Sequence, residues 1–154
     1  MKRTKVVLLT LFALFLIIQL IRPVRNERGQ VPEADISSLY GMPDQVHGIF
    51  KRACYDCHSN STTYPWYANI QPLAWWLADH IREGKAELNF NEFGTYSLRK
   101  QKSKLKSITG SLEDNSMPLS SYTLIHKNAK LSLADKALVL SWLSKTRDGI
   151  SLNK

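Results

Sequence analysis

Hydrophobic positions fall into blocks of different period along the chain. The first block is continuous: Val6 to Ile21 reads VVLLTLFALFLIIQLI, broken only by Thr10 and Gln19 and preceded by Lys2, Arg3 and Lys5. As a helix of about 16 residues it spans about 24 Å, against roughly 30 Å for a hydrocarbon core. Snorkelling basic side chains or local thinning covers such a deficit, so the pattern predicts a transmembrane helix within residues 1–24. A cleavable signal would end in small residues, whereas this run ends in Ile21-Arg22-Pro23-Val24-Arg25, which favours an uncleaved anchor.

The remaining blocks have helical period. Residues 25–43 are polar, carry Pro32 and Pro43, and read as a linker. Val46, Ile49, Phe50 and Ala53 then mark a short amphipathic helix, with Asp44 as its expected N-cap. Pro72 is expected to open a second helix whose inward face is Leu73, Trp76, Leu77, His80 and Ile81. Leu98, Gln101, Leu105, Ile108 and Leu112 trace a third, basic helix that is expected to stop near Gly110. After a loop through Met117-Pro118, Ser132 and Asp135 form a capping box for a last helix carrying Leu138, Val139, Trp142 and Leu143. No strand alternation is visible. The expectation is an all-α domain over residues 44–146, with a tail at 147–154.

Composition changes this picture in two ways. A net charge of +8 points to acidic partners or anionic lipid, and the run from Arg99 to Lys106 reads either as a docking patch or as a solvated helix face. Nucleic acid is not an expected partner, because the N-terminus argues for a location outside the cytoplasm. The chain has only two cysteines, both in Cys54-Tyr55-Asp56-Cys57-His58.

That CxxCH segment is the chemical signal. Two thiols three residues apart can form thioethers with the two vinyl groups of one haem, and the adjacent histidine can present a ring nitrogen to its iron. Three rivals fit less well. A thioredoxin-like CxxC wants a preceding strand, a structural zinc site wants a second ligand pair, and a disulfide across so small a loop stabilises little. Covalent attachment to CxxCH takes place outside the cytoplasm in bacteria. The expected location is therefore the bacterial inner membrane, single-pass, with the bulk of the chain in the periplasm.

The stretch CYDCHSNSTTYPWYANIQPLAWWLADHIREGKAELNF, followed by SMPLSSYTLIHKNAKLS and a final helix with Trp142, resembles the haem-binding domain family of cytochrome c-like proteins over about residues 40 to 146. The resemblance implies one covalently bound haem c outside the cytoplasm. Asn91-Glu92-Phe93 stands where such proteins often show Ser, an acidic residue and Trp, a departure that bears on local packing.

The sixth iron ligand decides between carrying electrons and binding small ligands. Met117, in a Met-Pro loop, is the first candidate, since that arrangement looks like the ligand loop of small cytochromes c. The bland reading is a gap-filling core methionine. His80 is the second candidate, and an open or water-bound iron is the third. His47 and His126 read as surface residues, and Met42 as too close in sequence to reach the far face. Pro65 or Pro72 is expected to offer a carbonyl to the His58 Nδ1–H. Tyr64, Trp66, Tyr67 and Trp76 are expected to line the porphyrin, and Trp142 to pack the last helix on the attaching one; each has an ordinary aromatic-core alternative. The sequence thus reads as a tethered, non-enzymatic carrier of single electrons between redox partner proteins. A haem sensor and a peroxidase-like enzyme with an open sixth site are the rivals.

Overall fold

A computed structural model describes residues 2–29 and 33–150. Met1, residues 30–32 of the expected linker (Pro32 among them) and residues 151–154 of the expected tail lie outside the described residues. In chain order the helices are α1 (Lys2–Ile18), α2 (Ile36–Leu39), α3 (Asp44–Ala53), α4 (Tyr55–His58), α5 (Leu73–Glu87), α6 (Leu98–Glu113), α7 (Ser120–Ile125) and α8 (Leu133–Gly149). Short 3-10 turns at Trp66–Asn69, Phe90–Thr95 and Lys127–Ala129 link them, and no strand occurs among the described residues.

The expected transmembrane helix is corrected: no helix among the described residues is long and apolar enough to cross a membrane. The apolar run is cut at its C-terminal end. α1 stops at Ile18 after 17 residues, three of them charged, for a length of about 26 Å. Gln19 then leaves the helix for the rest of the chain, its Oε1 accepting from the Gln71 backbone N–H at 3.0 Å. The Ile21 carbonyl accepts from the Trp75 indole at 2.7 Å and from Gln71 Nε2 at 2.8 Å. Residues counted toward a span are thus hydrogen-bonded to the domain. The expectation of a single-pass inner-membrane protein with a periplasmic domain goes with the span.

α3 and α8 form the centre. α3 buries the expected Val46, Ile49, Phe50 and Ala53, and Trp142 of α8 meets Phe50 edge-on at 5.8 Å. Phe90 sits against Phe50 at 5.2 Å, and α6 adds Leu105 and Leu112. Pro43, not Asp44, is the N-cap of α3; Asp44 occupies the first turn, where a carboxylate suits the helix dipole. The Ser132–Asp135 capping box opens α8 as expected. α6 runs past Gly110 because Leu112 is buried, and stops where Asn115 takes φ 61°, a left-handed conformation that asparagine tolerates.

Part of the expected linker belongs to the core. Ile36 is fully buried and Met42 nearly so. Asp35 caps α2 through the Ser37 N–H and accepts from Tyr55 Oη at 3.0 Å and Asn91 Nδ2 at 2.6 Å. Asn91 is itself wholly buried and accepts from the Asn60 N–H at 2.7 Å. The amide that departs from the family pattern therefore closes a polar network between α2 and the loop after α4. At the other end, Ile150 packs into the core from the expected tail.

Candidate haem site

The site is built where α3 breaks. Cys54 leaves helical geometry (φ −129°), and α4 restarts at once, with the His58 N–H bonded to the Cys54 carbonyl at 3.0 Å. This one-turn helix places Cys54, Cys57 and His58 on the walls of a two-lobed cleft. One lobe, of about 170 Å³, is lined by Ile49, Phe50, Leu88, Phe90, Ile108, Leu112 and Val139; the other, of about 340 Å³, by Cys57, His80, Glu83, Gly84, Leu119 and Tyr122. Both lobes share Ala53, Cys54, His58, Glu87, Met117 and Pro118. The first is almost wholly apolar, as a prosthetic-group pocket is expected to be.

His58 is oriented by the end of α5. Its Nδ1 lies 2.9 Å from the Gly84 carbonyl and 3.0 Å from that of Leu88. Carbonyls only accept, so Nδ1 carries the proton and Nε2 keeps a free lone pair. Burial holds the imidazole pKa below its ordinary value, which keeps the ring neutral and able to ligate. The Gly84 carbonyl also accepts the Leu88 N–H at 2.9 Å and so serves His58 through its second lone pair, while the Leu88 carbonyl lies just past the end of α5. Pro65 and Pro72 do not serve: the contacts of His58 Nδ1 are to Gly84 and Leu88, and the proline carbonyls accept from the Ala68 N–H and from the Trp75 and Trp76 N–H groups.

Both thiols are free, and burial pushes Cys54 up to about 12 and Cys57 up to about 11. Thiols so far from ionisation suit neither disulfide exchange nor a reactive thiolate. Among the described residues no group of three or more His, Cys, Asp or Glu side chains could hold a metal ion, so the zinc alternative finds no ligand set.

Asp56, between the two cysteines, anchors the far wall. Its Oδ2 accepts from Tyr122 Oη at 2.6 Å, and its Oδ1 accepts from the Thr63 N–H at 3.0 Å. Tyr122 ties α7 to the motif and so brings the Met117-Pro118 loop to the cleft. Met117 is 38 % exposed and lines both lobes. His80 is half-buried and lines only the Cys57 lobe, with its Nδ1 donating to the Trp76 carbonyl at 2.9 Å.

The aromatic expectations are largely corrected. Phe50, Phe90 and Tyr122 line the cleft, whereas Tyr64, Trp66, Tyr67 and Trp76 do not. Trp66 is 73 % exposed, Tyr67 packs on Leu77 and Ile81, and Tyr64 lies under Arg25. The buried stripe of α5 is Ala74, Leu77 and Ile81, with Leu73 and Trp76 turned outward. His47 and His126 are half-buried, not surface residues: His47 packs against the Tyr55 ring, and His126 stacks on Tyr122 and bonds Tyr67 Oη at 2.8 Å. Met42 lies in the core away from the cleft.

A neutral, twice-anchored imidazole beside two free thiols in an apolar cleft is a donor set suited to haem. Residues 13–145 match the profile of the haem-binding domain family. The chain belongs to that family. No curated protein and no solved structure matches it. For this haem-binding domain, sequence reasoning missed Gly84, Leu88, Phe90 and Tyr122. Only Gly84 left a signal: a glycine inside a helical pattern marks a close approach.

Proposed function

We propose that the chain holds one haem covalently, with Cys54 and Cys57 forming the two thioethers, His58 as the fifth ligand and Met117 as the sixth, and that it carries single electrons. The observation that supports this best is the pair of carbonyl contacts on His58 Nδ1, which point the remaining nitrogen away from α5 at the place where both thiols line the cleft. Bound haem supplies an iron that takes up and releases one electron.

The chain's own residues set how readily that happens. The Gly84 and Leu88 carbonyls fix the ring and raise its basicity. Phe50, Leu88, Phe90 and Leu112 exclude water and favour the less charged, reduced state, and a thioether from Met117 works in the same direction. Met117 is preferred to His80 because it lines both lobes with His58. Catalysis by an acid or base plays no part. An acidic redox partner is proposed to dock beside the cleft on α6, where Lys104 lines the wall and Arg99, Lys100 and Lys106 are exposed.

A redox titration of the haem-loaded protein tests the reading. Reversible one-electron behaviour is expected, with slow or no carbon monoxide binding to the reduced form. Met117→Ala is expected to lower the potential and open the iron to carbon monoxide, with His80→Ala changing neither. Rapid carbon monoxide binding by the unmodified protein would support a sensor, and peroxide turnover an enzyme.

A further inference from the structure

α5 has two working faces. His80, Glu83, Gly84 and Glu87 look into the haem cleft, while Ala78, Ile81, Arg82 and Lys85 line a second and larger groove of about 810 Å³. Residues Pro23 to Arg28 close its other side, and it shares no lining residue with the cleft. No His, Cys or Met lines it, so it is not a second haem-iron site.

Its charge is one-sided. Arg25, Arg28, Arg82 and Lys85 line it with one acid, Asp79, which is paired with Arg82, while Glu27 from the same segment as Arg25 pairs with Arg25 at 3.6 Å. Arg25 lies 4.8 Å above the Tyr64 ring and donates to Asn69 Oδ1 at 2.8 Å. Lys85 Nζ has only a neutral partner there, Asn26 Oδ1 at 2.6 Å, and Arg28 makes no ion pair among the described residues. Burial and the neighbouring Arg28 charge hold the Lys85 pKa below the ordinary lysine value, with Glu92 offsetting them in part. Two cations kept side by side without an acid between them repel each other, and an anion placed there removes that cost.

The groove is also apolar on one wall. Trp75, Trp76 and Ile81 line it on α5, with Pro23 and Val24 opposite. Val24 is 94 % exposed and Trp76 42 %, so this wall opens at the surface with large apolar side chains uncovered.

We propose that this groove binds a single phosphate-headed amphiphile, its phosphate between Arg28 and Lys85 and its apolar body against Trp75, Trp76 and Val24. With Arg25 and Arg82 already paired, the two cations without an ion-pair partner among the described residues, Arg28 and Lys85, suit a dianion better than a lone carboxylate, and a guanidinium matches phosphate oxygens in geometry. The volume lies within the range of small-molecule sites, roughly 300–1,000 Å³.

The test is a titration of the reduced, haem-loaded full chain with hexyl phosphate, following the indole N–H resonances of Trp75 and Trp76, with Trp142 as the buried internal control. Saturable shifts are expected at Trp75 and Trp76 and none at Trp142. Inorganic phosphate should bind more weakly, and hexylammonium should leave the resonances unmoved. Arg28→Gln, which removes an exposed side chain, should weaken hexyl phosphate about tenfold, the scale of one charge-assisted hydrogen bond. Equal binding of inorganic phosphate, equal shifts with hexylammonium, or an unchanged affinity in Arg28→Gln would each overturn the proposal. So would a response to phosphatidylglycerol vesicles without one to hexyl phosphate.

Discussion

Cys54, Cys57 and His58 were legible as a set because their relation is local: three groups within one turn need no tertiary information to be brought together. What orients them was not legible. Gly84 and Leu88 act through backbone carbonyls, which have no side-chain signature, and they meet His58 only because α5 ends beside α4. Asp135 shows how a capping residue reaches the same site. It closes the capping box of α8 and also accepts a 2.7 Å ion pair from Arg52, two residues before Cys54. The Arg52 guanidinium, with Ser132 behind it, holds the Asp135 carboxyl down at about 2, below the ordinary aspartate value. A depressed folded-state pKa stabilises above the unfolded value, near 4, and that stability is lost as pH falls toward 2. Asp135→Asn is expected to cost roughly 1 kcal/mol at pH 7 after allowance for solvent screening. Denaturant titrations at pH 7 and pH 2 should show most of that difference gone at the lower pH.

α3, with a strong one-sided pattern, emerges with the buried face its spacing predicts, whereas α8 buries Val139, Trp142 and Leu143 but leaves the expected Leu138 exposed. In α5, too, only part of the expected apolar face is buried: Leu77 and Ile81 are, while Leu73 and Trp76 are not. Ala74 is buried in their place and Trp76 is turned outward. α2 and α7 are too short to show a period at all, and each is held by tertiary hydrogen bonds from Asp35 or Tyr122. Gly84 gives α5 its role at the site. A Cβ there would lie 2.7 Å from the Cys57 carbonyl oxygen and 3.2 Å from Cys57 Cβ. Alanine normally favours a helix interior by about 1 kcal/mol over glycine, yet here the overlap with backbone dominates, at about 1–3 kcal/mol. Gly84→Ala is therefore expected to lose up to about 2 kcal/mol net and to shift the haem absorption by displacing His58. Gly110→Ala in α6, where nothing lies within 4 Å of the added carbon, is expected to gain about 0.5–1 kcal/mol. Thermal melts of the two variants decide the sign at each position.

For the whole molecule, the all-α class could be read from period alone, because every long apolar pattern after residue 44 has helical spacing. Two boundaries could not. The apolar N-terminal run looked like one continuous element, but Gln19 and Ile21 spend their polar groups on Gln71 and Trp75, leaving a helix of 17 residues. The polar stretch before residue 44 looked like a linker, yet Asp35, Ile36 and Met42 are core, since buried polar residues satisfied by Tyr55 and Asn91 resemble solvated ones in sequence. The result is a helical shell whose cleft brings His58 and both thiols, from one turn of chain, together with Met117 from a second, distant stretch. The central claim, covalent capture of one haem in that cleft, is tested most directly by the intact mass of the chain matured in a host that attaches haem to CxxCH proteins. The account predicts the mass of the polypeptide plus one haem, unchanged by acid extraction and lost in the Cys54→Ala, Cys57→Ala double variant. A chain of unmodified mass, or one whose haem leaves in acid, would contradict it.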